Sequence, residues 1–69
     1  MKEENKIFNK GQFVVHENPE YKTLGMVISE PHNDEYFQKY YNIFWFYWAN
    51  KPLSYHGLNL MYAYALKAI

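Results

Sequence analysis

The stretch from Tyr36 to Trp48, YFQKYYNIFWFYW, constrains this chain more than any other. Nine of its thirteen residues carry aromatic rings, out of fifteen aromatic residues in the whole chain. Rings and β-branched side chains suit a pleated, packed surface, so the run reads as a strand, and as the central one. Successive side chains of a strand point to opposite faces. That alternation puts Tyr41, Ile43, Trp45 and Tyr47 on one face and Asn42, Phe44, Phe46 and Trp48 on the other. Both faces are apolar. A sheet with one wet side shows polar residues there, so the second face needs a cover: a barrel wall, a partner subunit or a ligand.

The chain has 69 residues, enough for one domain with a small core. A chain this short buries only about 60% of its unfolded surface, and disulfides, a metal or oligomerisation commonly supply the missing stability. With no cysteine, disulfides and thiolate metal sites are excluded. Oligomerisation is then the remaining way to bury an excess of large apolar side chains. Seven lysines balance seven acidic residues, and arginine is absent. That neutrality argues against holding duplex nucleic acid through its phosphates. The opening MKEENK leads into no long apolar segment and does not read as a secretory signal. The longest wholly apolar run, Ile43 to Ala49, is far below the roughly 20 residues that span a bilayer. The expectation is a soluble protein of the cytoplasm with no membrane partner.

Residues 1–10 are mostly polar and are expected to form a largely flexible segment ahead of a single domain at 11–69. GQFVVHE at 11–17 reads as a short half-buried strand, with Phe13 and Val15 facing one way and Val14 the other. Asn18-Pro19-Glu20 is a turn. LGMVISE at 24–30 is a second strand with Leu24, Met26 and Ile28 on one face, and Gly25 inside it predicts a bulge or sharp bend. Glu30 to Glu35 is a polar loop, Ala49 to Pro52 another turn, and LSYH at 53–56 a short fourth strand. The C-terminal stretch reads two ways. Leu58, Met61, Tyr62, Ala65, Leu66 and Ile69 would share one helix face. The same residues allow a helical turn near Leu60 to Tyr64 and a closing strand, ALKAI. The second reading is preferred, because three strands alone would leave the aromatic sheet with open edges. The sum is an all-β barrel of about five short strands with a short helical turn near the C-terminus.

In order, the chain shows GQFVV, GMVIS, a polar loop, an aromatic strand ending in Trp48, and a final LKAI. This order resembles the small SH3-like or Sm-like barrels of marine bacteriophages and cyanophages. The resemblance covers Gly11 to Ile69 through short, degenerate motifs. It implies a barrel, ring-forming homo-oligomers and RNA binding. The polar loop signature with which Sm proteins hold RNA bases, including its Arg-Gly pair, has no counterpart here, so no functional residue carries over.

Catalytic chemistry finds little support. His16, His32 and His56 share no short ligand spacing, and the one assembled metal set, His32 with Asp34 and Glu35, reads better as a solvated turn. The carboxylate pairs Asp34/Glu35 and Glu17/Glu20 sit in loops, where water keeps them ionised. Ser29, Ser54 and Thr23 lack the setting of a nucleophile, and three scattered glycines make no phosphate loop. The expectation is a non-enzyme without metal or cofactor.

Two function classes follow from the rings. In the first, Tyr40, Phe44, Phe46 and Trp48, helped by Lys39 and Lys51, stack the bases of RNA or single-stranded DNA, at about 1–3 kcal/mol per base. Trp45 and Tyr47, on the opposite face, then form the interface of the oligomer. In the second class the protein is an interaction or structural accessory that binds a host or phage protein, with no nucleic acid involved.

Overall fold

The strand-forming pattern is realised among the described residues, and an irregularity in it sets which rings are buried. The computed structural model describes residues 6–49, 51 and 56–69. They form β1 (Phe13–His16), β2 (Thr23–Val27), β3 (His32–Asn33), β4 (Lys39–Trp48) and β5 (Gly57–Tyr62), then a single 3-10 turn (Ala63–Ala65) and β6 (Leu66–Ala68). All six strands belong to one antiparallel sheet, ordered β5-β4-β2-β1-β6, with the short β3 also paired to β4. The sheet curls into a half-barrel. The all-β expectation therefore holds, as does the turn-plus-strand reading of the C-terminus. The helical alternative does not: Leu58 to Tyr62 are extended and pair with β4, with Leu58 and Leu60 exposed on the outer side. The fourth strand lies at Gly57–Tyr62; of the LSYH segment expected to form it, residues 53–55 lie outside the described residues.

Local chemistry explains the connections. Between β1 and β2 the Asn18 side chain accepts the Glu20 N–H at 2.9 Å and the Asn18 carbonyl accepts the Tyr21 N–H at 3.0 Å. Pro19, with its φ fixed, occupies the second position of this turn. The loop between β3 and β4 is built on Asp34, whose Oδ1 accepts the N–H groups of Tyr36 (2.8 Å) and Gln38 (2.9 Å).

A bulge breaks the alternation of β4. Leu24 pairs with Tyr47 but Gly25 pairs with Trp45, so Phe46 is an extra residue without a partner on β2. The consequence is a switch of face: Phe46 and Tyr47 both point outward and Trp48 turns in. The expectation that Tyr47 shares a face with Trp45, and Trp48 with Phe44, is corrected on this point. Gly25 makes the arrangement possible. A Cβ built there would lie 2.6 Å from Cε3 of Trp45 and 2.9 Å from Cγ2 of Ile43, so the indole occupies space that any other residue would claim.

The inner face buries Val14, Val27, Tyr41, Ile43, Trp45, Trp48 and Leu66, with Ala63 of the 3-10 turn closing one end. Trp45 and Trp48 meet edge to face at 5.2 Å. Phe8 also belongs to this core. Its ring meets Tyr41 edge to face at 5.5 Å, its N–H donates to Tyr41 Oη at 2.9 Å, and that hydroxyl donates to the Lys6 carbonyl at 3.2 Å. Phe8 is thus anchored on the core through Tyr41, while Ile7, Asn9 and Lys10 stay exposed. No helix of the described residues is long and apolar enough to cross a membrane.

Candidate interaction surface

Residues paired across strands share a face of the sheet. Phe13 pairs with Met26, Met26 with Phe44, and Phe44 with Leu58, so one apolar row crosses β1, β2, β4 and β5. All four face outward, opposite the buried Val14, Gly25 and Trp45. Leu60 lies one step along β5, paired with Asn42. The bulge adds Phe46, whose ring lies 5.2 Å from Phe44 and 6.3 Å from Phe13. Phe44 and Phe46 are 40% and 46% exposed, and Phe13, Leu58 and Leu60 more so. The outward positions of β1, β2 and β5 carry no charged side chain. Solvated faces of small proteins are not built this way, and contiguous apolar patches mark binding surfaces.

Tyr40 stands at the far end of β4 in a different cluster. It stacks on His32 at 5.2 Å and meets Tyr62 at 5.7 Å, while Tyr62 stacks on Tyr64 at 5.5 Å with the rings 15° apart. The Tyr62 hydroxyl donates to Asp34 Oδ2 at 3.0 Å. Hydrogen bonds from the Gln38 and Tyr36 backbone and from Tyr62 hold the Asp34 carboxyl below its ordinary pKa, and the same carboxylate pushes the Tyr62 phenol up. Beyond this cluster the hairpin tip presents Tyr36 and Phe37, both largely exposed, with Phe37 in the left-handed region at φ 64°. Asp34, considered from sequence as a metal ligand, is committed to shaping this loop.

A third region lies at the other end, where the β1–β2 turn folds beside β4. Tyr21 packs edge to face on His16 at 4.7 Å and also meets Trp48 at 5.8 Å. His16 Nδ1 accepts the Asn18 N–H at 3.0 Å, and burial lowers the imidazole pKa against the opposing pull of Glu17. Glu17 is bonded to Lys6 at 2.9 Å, which holds its carboxyl below the usual range.

Of the residues expected to stack bases, the structure brings together only Phe44 and Phe46. Tyr40 belongs to the tyrosine–histidine cluster, Lys39 reaches Asn33 at 3.5 Å, and Lys51 is exposed past the end of β4. Trp48 is 9% exposed and serves the core, so it cannot be an open platform. Of the expected interface pair, Trp45 is fully buried within its own chain, whereas Tyr47 is half exposed on the outer side. Sequence reasoning missed Phe13, Leu58 and Leu60 on the apolar face. The alternation of β1 and the Leu-x-Leu of β5 carried that signal, and it needed only the pairing to β4 to be read. The chain matches no family model, no curated protein and no solved structure.

Proposed function

We propose that this protein is a non-catalytic docking module that self-associates through its outer apolar face. The observation that carries the reading is the row Phe13, Met26, Phe44 and Leu58, extended by Phe46 and Leu60, uncharged across four strands and exposed except for the half-buried Met26. A second copy of the chain fits that face better than a charged partner does. An uncharged apolar surface is complementary to itself, and a twofold pairing places the same patch on both sides. The size is also suitable. Extents of 31 × 22 × 21 Å limit any face to roughly 700 Å² in projection, close to the ~800 Å² per partner of a standard interface.

Stacking of single-stranded nucleic acid on the same rings is the weaker reading. The exposed Phe44 and Phe46 are flanked by Phe13, Met26 and Leu58 rather than by lysine, and a strand laid there would find no cation for its phosphates. Light scattering with the Phe46→Asp variant tests the proposal. The wild-type chain should run as a dimer or larger at micromolar concentration, and the variant as a folded monomer of 8.4 kDa. A wild-type monomer at high micromolar concentration overturns self-association and leaves a different protein as the occupant of the face.

A further inference from the structure

Where the β1–β2 turn folds against the outer side of the sheet, it borders an open cleft of about 320 Å³. Its walls include Val15, Tyr21, Lys22, Tyr47 and Lys67, with His16 and Glu17 at the turn. The chain makes this cleft by two devices already described. The bulge at Phe46 turns Tyr47 outward beside Leu24, and the Asn18-Pro19 turn carries Tyr21 and Lys22 back over β1. Lys67 arrives from β6, paired with Val15 on the floor.

Charge and ring content together point to one ligand chemistry. The ammonium groups of Lys22 and Lys67 make no hydrogen bond or ion pair within 4 Å among the described residues, while Glu17, whose pKa Lys67 helps to lower, is bonded to Lys6 at 2.9 Å. Two cations therefore line the cleft, and the carboxylate beside them, Glu17, is bonded to Lys6. Tyr21 is fixed in place by His16 and Trp48, and Tyr47 stands half exposed across from it. Such rings offer flat faces to a planar group, while the ammonium groups suit a phosphate. The volume lies at the low end of the roughly 300–1,000 Å³ of ligand pockets, room for one nucleotide.

We infer that this cleft binds a single nucleotide, its phosphate between Lys22 and Lys67 and its base against Tyr47 or Tyr21. The unit is either a free nucleotide or one residue of a single strand. The site shares no residue with the apolar row, so it stands or falls independently of self-association.

The test is an amide NMR titration of the full chain with AMP, inorganic phosphate, adenosine and the oligonucleotide (dA)8. AMP should shift amides of residues 15–23, Tyr47 and Lys67, with phosphate and adenosine each binding about tenfold more weakly or worse. The Lys22→Ala/Lys67→Ala pair should weaken AMP at least about tenfold while keeping a dispersed spectrum. Tyr47→Ser should cost about tenfold and Tyr47→Phe little, because a stacked base needs the ring and not the hydroxyl. Tighter binding of (dA)8 than of AMP, weakening with salt, assigns the site to a strand; equal or weaker binding assigns it to a free nucleotide. Absence of shifts in the cleft with millimolar AMP and with (dA)8 overturns the inference. So does phosphate binding as tightly as AMP, or shifts confined to Phe44 and Phe46.

Discussion

The two faces of β4 are made of the same kind of side chain and meet opposite fates. Inward, Trp45 and Trp48 touch each other at 5.2 Å and fill the half-barrel. Outward, Phe44 and Phe46 touch each other at the same 5.2 Å and remain nearly half exposed. Ring content does not separate these pairs. Strand register does, and a single extra residue at Phe46 decides which rings are core and which are surface. The outer face thus carries the chemistry of a core without the cover of one, and the proposed self-association rests on that contrast.

Truncating each face in turn should give the largest contrast. Trp48→Ala opens a cavity beside Trp45 and His16 and should cost about 3–5 kcal/mol, enough to unfold a domain of this size. Phe46→Ser should cost the monomer no more than about 0.5 kcal/mol, since it removes an exposed ring. Urea denaturation at low protein concentration, where self-association would not contribute, measures both. Similar losses for the two would abolish the distinction between the faces.

A smaller effect tests what holds the inner face in register. Gly25→Ala places a methyl group 2.6 Å from the Trp45 ring, and the indole cannot retreat into a filled core. The expected loss is about 1–3 kcal/mol, with changed near-ultraviolet circular dichroism from the shifted indole. An unchanged spectrum and stability would mean that Trp45 does not rest on Gly25.

The smallest expected effect is a pH dependence at the edge shared by the core and the cleft. Burial keeps the His16 pKa below its ordinary value of 6.5, so the unfolded chain takes up this proton before the folded one does. Stability should therefore be complete above about pH 6.5 and decline below it. Asp34 and Glu17, both held below the ordinary carboxylate range, add a further decline only as the medium turns more acidic. Thermal melts from pH 8 to 5.5 should show the first decline, and His16→Gln should flatten it. A slope unchanged by that substitution would assign the effect to another group.

Much of the architecture was legible because its causes are local. The ring-rich run marks β4, Asn18-Pro19 marks the turn after β1, and Gly25 inside an apolar run marks the irregularity of the sheet. The candidate surface was half legible. Phe44 and Phe46 stand outward together as alternation predicts, while Tyr40, Trp48, Lys39 and Lys51 do not join them. Phe8 gave no sign of its place, since a lone ring in a polar segment acquires meaning only from the distant Tyr41 on which it packs.

The sequence by itself determined that this chain is all-β and that its central strand is apolar on both sides. Residue type and period-two spacing are enough for that, because they act between neighbours along the chain. Only the tertiary structure decided which side is covered from within. That choice depends on how β4 pairs with β2, where the missing Cβ of Gly25 lets Trp45 in and the extra residue Phe46 turns Tyr47 out and Trp48 in. Pairing across strands couples residues far apart in sequence, and alternation along one strand does not encode it.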